Sequence, residues 1–358
     1  MREVDYIVVG LGIAGLCFAE QLENHKKSFI VIDSELNTST KISGGVFNPV
    51  VLKRFTIAWK ANEHSIESLE FYRSIAKKLN RSFLKETAVL RILSSVEEQN
   101  NWTVASDKNE LSPFLYPDIL QNDNSSIEAS FGYGRVNHTA RIEPSYLLSS
   151  YKEYLQKENR SITETFDYGK LIDQFSEDTL ESGNEYPIRY GNIWAKRIVF
   201  SEGFGAIYNP YFPKSYLIAN KGEYLIISAP DLRLDDILKG PIFIIPLGDQ
   251  LFKVGATYAR DIDSYHITTN ARDQICHKLE KMITCDYKVI SQVAGVRPTT
   301  KDRRPLLGKL PESPNKAFLN GLGSHGILGA PFLSKILYEH LENDVELPKE
   351  MDIQRSLL

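Results

Sequence analysis

Gly10, Gly12 and Gly15 stand in the order G-x-G-x-x-G, and Asp33 follows about 20 residues later. That spacing suits the pyrophosphate and ribose of a dinucleotide. Gly10 permits a tight turn, Gly12 lets a pyrophosphate approach the backbone, and Gly15 lets a helix pack closely on a strand. A helix starting there would aim free N–H groups and its positive end at the phosphates. Asp33 would accept hydrogen bonds from the ribose hydroxyls, and its charge disfavours the 2′-phosphate of NADP.

Two further small-residue stretches could close on the same ligand. One is Ser39-Thr-Lys-Ile-Ser-Gly-Gly-Val-Phe-Asn-Pro49, after which Lys53 and Arg54 could reach an anion. The other is Asn320-Gly-Leu-Gly-Ser-His-Gly-Ile327, again directly before a helical pattern. No CxxC pair or His/Cys cluster suggests a metal site.

The elements that must position these residues read as follows. Asp5–Val9 is an apolar, β-branched run, as a strand buried on both faces should be. Residues 14–24 form a helix with Leu16, Ala19 and Leu22 on one stripe, and residues 28–33 a second strand. Residues 35–57 form a long loop. A helix follows over 59–80, with Ile66, Leu69, Phe71, Tyr72, Ile75 and Leu79 as its apolar set. Residues 86–138 alternate short strands, such as 88–93, with polar stretches. Residues 143–157 return to helix, opened by Pro144. Strands are expected over 195–201, 224–228, 242–245, 251–254 and 317–320, and helices over 269–284 and 327–342.

This pattern predicts an α/β chain, α+β overall. A Rossmann-like βαβ domain binds the dinucleotide, and a second, antiparallel-β-rich domain takes the substrate. The two interleave. Residues 1–85, 139–205 and 292–358 build the first, and residues 86–138 and 206–291 the second.

Composition agrees. At roughly 100–200 residues per domain, 358 residues suggest two. With 42 Lys and Arg against 46 Asp and Glu, the net charge is −4, which disfavours a nucleic-acid partner without forbidding a local basic patch. Three cysteines fit a reducing compartment better than a disulfide scaffold. The apolar run Tyr6–Ala19 is broken by glycines and lacks the flanks of a signal peptide. No apolar stretch reaches the ~20 residues of a membrane span. The expectation is a cytoplasmic protein with no membrane partner.

NAD and FAD share the fingerprint, and the rest of the chain separates them. An NAD dehydrogenase usually completes its six-stranded domain early, whereas here the βαβ unit runs into a small-residue loop. The helix after the second glycine-rich turn would stabilise negative charge on a reduced flavin ring. Several ordered motifs then carry a family resemblance: Ile198-Val-Phe-Ser-Glu-Gly203, Ile244-Ile-Pro246, Val254-Gly-Ala-Thr257, Ala294-Gly-Val-Arg-Pro-Thr-Thr-Lys-Asp-Arg-Arg-Pro-Leu-Leu-Gly308, and Gly323-Ser-His-Gly326 with Ala330-Pro331. Over nearly its full length the chain resembles the D-amino-acid-oxidase-like family of FAD-dependent oxidoreductases, which includes the glycine and sarcosine oxidases. Val254–Arg260 and the closing loop also look similar to the flavin domain of the bifunctional tRNA-uridine-modifying enzyme, with Tyr258 and Arg260 on the substrate side.

The resemblance implies FAD, bound without a covalent link, since no His or Cys stands where flavinylated relatives attach it. The implied cofactor set is Gly10, Gly12, Ile13, Ala14 and Gly15 at the first turn, then Asp33 and Ser34 after the second strand. Lys41, Ser43, Gly44, Gly45, Phe47 and Asn48 follow in the loop. Asp167, Ser201 and Gly203 come next, and then Arg297 with Gly323, Ser324, His325, Gly326 and Ile327. The implied reaction oxidises the C–N bond of a small amine or amino acid, with oxygen or another acceptor taking the electrons. Arg297 sits where the family binds the substrate carboxylate, unless it pairs with Asp302. Lys253 aligns with a lysine beside the flavin in sarcosine-oxidase-like enzymes, and His325 would contact flavin or substrate. Arg54 completes the catalytic candidates. Phe243 replaces a tyrosine of glycine oxidases, and Ser324 and His325 replace a loop arginine. Two alternatives stand beside this: action on a modified tRNA uridine side chain, and a flavin-binding protein without catalysis.

Overall fold

The computed structural model describes residues 1–35, 39–173, 185–260 and 264–356; residues 36–38 of the expected loop lie outside them. Five parallel strands run in the order Ser161–Thr163, Phe29–Asp33, Arg2–Val9, Ile193–Phe200 and Ser313–Asn320. Arg2–Val9 lies at the centre, and its Tyr6–Val9 half is buried on both faces. Tyr6 and Val8 enter one apolar cluster, and Val4, Ile7 and Val9 enter the other. A strand covered on both sides cannot alternate apolar with polar residues, hence its continuous apolar run.

Helices Ile13–Asn24, Ala61–Leu79, Pro144–Lys157 and Gly326–Asn343 cover the first face, contributing Leu16, Leu69, Leu147 and Leu333. On the other face Phe166, Phe200 and Phe318 pack together, Phe200 and Phe318 stacking at 5.4 Å between centroids. In the helix Ala61–Leu79, Leu69, Tyr72 and Ile75 are buried, but Ile66 is 70% exposed, contrary to the expected stripe.

The second sheet is largely antiparallel. Its strands follow the order Lys288–Thr300, Leu217–Ser228, Leu251–Gly255, Phe243–Gly248, Ile237–Lys239, Val89–Ile92 and Tyr133–Val136. The expected boundary at residue 292 falls inside Lys288–Thr300. That strand pairs with Leu217–Ser228 along its length, so it is one unbroken member of this sheet. Helix Thr269–Leu279 packs on the sheet through Ile275 and Leu279, and it ends five residues before the expected stop at 284.

A helix at Val96–Ser106 replaces part of the expected strand-and-loop stretch. Its sequence carries too few apolar residues to show a helical stripe. The signal for this helix is local. Ser95 and Glu98 have the S-x-x-E spacing of a capping box, and the Ser95 hydroxyl accepts from the Glu98 N–H at 3.2 Å. Trp102 fastens this helix, fully buried and donating from its indole nitrogen to the Tyr116 carbonyl at 2.9 Å.

Candidate functional site

Between the carboxyl ends of the parallel strands and the second sheet lies a cavity of about 1160 Å³. Open α/β sheets bind ligands at that end. A drug-sized ligand occupies a pocket of roughly 300–1,000 Å³, so this one has room for a dinucleotide with a small molecule beside it.

The strand Arg2–Val9 delivers its last residue to the wall, and the chain then turns sharply at Gly10 (φ +93°). A Cβ there would stand 2.6 Å from the Ser201 carbonyl oxygen. At Gly12 a Cβ would meet only Thr40 Oγ1, at 3.5 Å, so this face of the turn opens into the cavity. At Gly15 a Cβ would come 1.9 Å from the Gly10 carbonyl oxygen. Gly15 therefore serves helix–strand contact and is not part of the wall. The Leu11 N–H donates to Asp33 Oδ1 at 2.8 Å, and the Glu35 N–H donates to Oδ2 at 3.0 Å. These bonds hold the carboxylate at the rim, where Ser34 also lines the cavity. Ile13 and Ala14 complete this side, and the Ile13 N–H donates to Thr40 Oγ1 at 3.1 Å.

Ser201 and Gly203 follow the end of the strand Ile193–Phe200 and face the same space. Ser201 Oγ is buried and has no partner among the described residues. Between them, burial raises the carboxyl of Glu202, although the Tyr168 hydroxyl and Asn209 Nδ2 both donate to it. Ser43, Gly44, Gly45 and Asn48 line the middle of the cavity. Gly45 (φ +65°) leaves no space for a side chain, since its Cβ would lie 1.8 Å from the Ile142 carbonyl oxygen. Gly323, Ser324, His325, Gly326 and Ile327 close the site, leading into the N-terminus of Gly326–Asn343. His325 lines the cavity, and desolvation there holds its imidazole below the ordinary range.

Arg297 reaches the wall from the strand Lys288–Thr300. Its guanidinium carbon lies 4.4 Å from the Tyr258 ring centroid, and Nη1 is 3.5 Å from the Thr257 carbonyl oxygen. Among the described residues no carboxylate comes within ion-pair distance of it. Asp302, the alternative partner that the sequence offers, pairs with Arg355 at 3.0 Å. Tyr224, Phe243 and Ile245 add apolar surface beside the guanidinium's side of the cavity.

Several expected residues do not face the cavity. Lys253 donates to the Ser43 carbonyl at 2.8 Å and lies 5.1 Å from the Tyr224 ring, behind the loop. Burial, with the Arg141 charge adding, lowers it to about 8. The turn after Val51 brings Lys53 to the wall and leaves Arg54 on the outer surface. Lys41 is directed to the Glu35 carbonyl at 3.3 Å. Phe47 is core, its ring edge-on to Tyr72. Asp167 caps a short 3₁₀ turn by accepting from the Gly169 N–H at 3.0 Å; Glu164, Thr165 and Phe166 just before it line the cavity instead.

Sequence reasoning missed Thr40, Gly222, Tyr224, Lys239 and Lys278, all but Lys278 and Lys239 close to the turns already singled out or to Arg297. For Gly222 a signal existed: an isolated glycine inside a strand marks a close approach, here that of the Arg297 guanidinium. Among the described residues no group of three His, Cys, Asp or Glu could hold a metal ion.

The family model described as FAD dependent oxidoreductase matches residues 5–340. The glycine oxidase of Bacillus subtilis (strain 168) is 21% identical over 354 residues, covering 96% of this chain and 94% of the relative. Among solved structures, glycine oxidase from Geobacillus kaustophilus superposes with a TM-score of 0.76 at 15% identity, over 97% of this chain and 96% of that one. L-proline dehydrogenase from P. horikoshii gives 0.77 at 15% identity, over 99% and 98%.

Proposed function

The chain belongs to the family of FAD-dependent oxidoreductases, and on that premise we propose that it oxidises the C–N bond of a small amine or amino acid. One observation carries the proposal: a guanidinium on the cavity wall, Arg297, with no carboxylate partner among the described residues and an aromatic ring under it. A planar fork so placed suits a substrate carboxylate in two parallel hydrogen bonds.

The residues present fit FAD. The open face at Gly12, the helix N-terminus after it and the Asp33 carboxylate suit pyrophosphate and ribose. At Gly203 a Cβ would meet nothing within 4 Å, and the unpartnered Ser201 hydroxyl waits beside it. Gly44, Gly323 and Gly326–Ile327 would face the ring. When bound, FAD supplies the hydride acceptor.

The protein's own residues do the rest. Arg297 orients the substrate by its carboxylate. Tyr224, Phe243 and Ile245 exclude water from the reacting carbon. His325, its imidazole held below the ordinary range by desolvation in the cavity wall, can accept the proton that a substrate ammonium must lose before its carbon gives up hydride. Lys253 is a positioning residue that holds the Ser43–Gly45 loop. Water then hydrolyses the imine to an oxo product and a free amine, and oxygen or another acceptor takes the electrons.

In this reading FAD is held without a covalent link; His325 is the one histidine, and no cysteine, among the described wall residues. Residues 1–85, 139–205 and 292–358 carry the cofactor and 86–138 and 206–291 the substrate, sharing Lys288–Thr300 at the seam. Among the described residues no helix is long and apolar enough to cross a membrane, and the three free thiols suit the cytoplasm.

The test is anaerobic mixing of the purified yellow protein with glycine, sarcosine, proline and D-amino acids. Bleaching of the flavin by a member of the panel is the expected result. A colourless protein that cannot be reconstituted with FAD would overturn the reading.

A further inference from the structure

One transverse row of the second sheet runs Tyr224, Gly255, Phe243, Lys239, each the cross-strand partner of the next. Tyr224, Phe243 and Lys239 all line the cavity. Three strand spacings of about 4.8 Å separate the backbones at the two ends, about 14 Å. Tyr224 lies under the charge of Arg297. Lys239 lies at the opposite end, its ammonium 4.8 Å from the Phe243 ring.

Lys239 is not alone there. Lys53 and Lys278 line the cavity with it, and their charges together with that of Arg91 bear on it. Arg91 is compensated by Glu98 at 2.8 Å. Lys53, Lys239 and Lys278 have no carboxylate within ion-pair distance among the described residues. Among the described residues the Lys239 ammonium donates to the Gly240 carbonyl alone, at 2.8 Å. The acidic wall residues, Asp33, Glu164 and Glu202, belong to the strand ends and loops of the parallel sheet. Three like charges crowded on one wall repel one another, and a bound anion relieves that repulsion. Gln274, one turn before Lys278 on the same helix, adds an amide to the wall.

We propose that the substrate amine carries two anionic groups, one on Arg297 and a second, carboxylate or phosphate, on the Lys53–Lys239–Lys278 cluster. This rests on the amine-oxidising reading. It narrows the substrate class from simple amino acids to amino dicarboxylates or phosphorylated amino acids. The Lys239 ammonium stands over the Phe243 ring and the Arg297 charge bears on Tyr224, so a molecule lying along this row of the sheet meets both charges.

The experiment is calorimetric titration of the FAD-loaded protein with unreactive probes: butyrate, glutarate, adipate and 3-phosphonopropionate. A dianion is expected to bind at least tenfold tighter than butyrate. Lys239→Gln and Lys278→Gln should bring that preference to within about twofold while leaving butyrate binding unchanged. Lys278 is on a partly exposed helix, so its variant remains informative if Lys239→Gln fails to fold. Equal affinity of the wild type for butyrate and the dianions would overturn the proposal, as would a preference that survives both substitutions. So would a single-stranded oligonucleotide that displaces glutarate with a steep salt dependence, which would assign the cations to nucleic acid. Each of these outcomes is read by binding, whereas the amine-oxidising reading itself stands or falls on flavin bleaching.

Discussion

The Arg297 guanidinium occupies the space that a side chain at Gly222 would need: a Cβ there would stand 2.2 Å from Nη2 and 2.4 Å from Nη1. Gly222→Ala should therefore push the guanidinium off Tyr258 while leaving the flavin in place. The expected outcome is a KM raised about tenfold for a carboxylate substrate, with an unchanged flavin content by absorbance. A KM equal to wild type would show that Arg297 is not held in its working position by this contact.

Removing the guanidinium goes further. Hydrogen bonds to charged groups contribute about 1.5–3 kcal/mol, so Arg297→Ala should weaken binding of a substrate carboxylate about 10–100-fold. An amine of the same shape without the carboxylate should lose little. Steady-state comparison of the two substrates checks this, and equal losses would remove Arg297 from the carboxylate role.

Gly15→Ala should release FAD, because the added methyl collides with the Gly10 carbonyl and must move the helix off the fingerprint turn. Asp33→Ala should act at the same turn by leaving the Leu11 and Glu35 N–H groups without their acceptor, at a cost of about 1–3 kcal/mol for the buried Leu11 donor. Flavin fluorescence in the filtrate of an ultrafiltration run measures both. Retention of FAD at wild-type levels by both variants would contradict the assignment of this turn.

Lys253 predicts a pH dependence. Burial holds it at about 8 in the folded chain, against an ordinary 10.5. Between those values the unfolded chain binds the extra proton, so stability rises with pH over that window. The contribution is lost as pH falls through about 8. Lys253→Met should thus gain most over wild type at pH 7 and lose that advantage by pH 10.5. Scanning calorimetry of both proteins across the window decides it, and a Tm difference independent of pH would refute it.

Trp102→Ala should cost about 3–5 kcal/mol, since it empties a fully buried site and strands the Tyr116 carbonyl. Denaturant unfolding reads this directly. A loss below about 1 kcal/mol would mean that the helix Val96–Ser106 is not fastened through its tryptophan.

The parts of the chain that were legible in sequence are those whose function depends on neighbouring residues. Gly10, Gly12 and Gly15 act within one turn, and Asp33 reaches back across a single strand pairing to the Leu11 N–H. Asp5–Val9 reads as a doubly buried strand because burial on both faces acts on each residue from Tyr6 to Val9. The Ser324–Ile327 loop was legible for the same local reason, a glycine-rich turn feeding a helix.

Tertiary structure decided what depends on distant strands meeting. It placed Lys53 on the wall and Arg54 outside, and it turned Lys253 to the Ser43 carbonyl. It set Gly222 under Arg297 and joined Tyr224 to Lys239 through two intervening strands. Sequence alone determined that this chain folds around a dinucleotide, because turns, caps and burial periodicity are local properties. Lys239 and Arg297 face the cavity through sheet register, because a slip of one residue would move each side chain to the opposite face, and Lys53 and Lys278 join them from a turn and from a helix packed on that sheet.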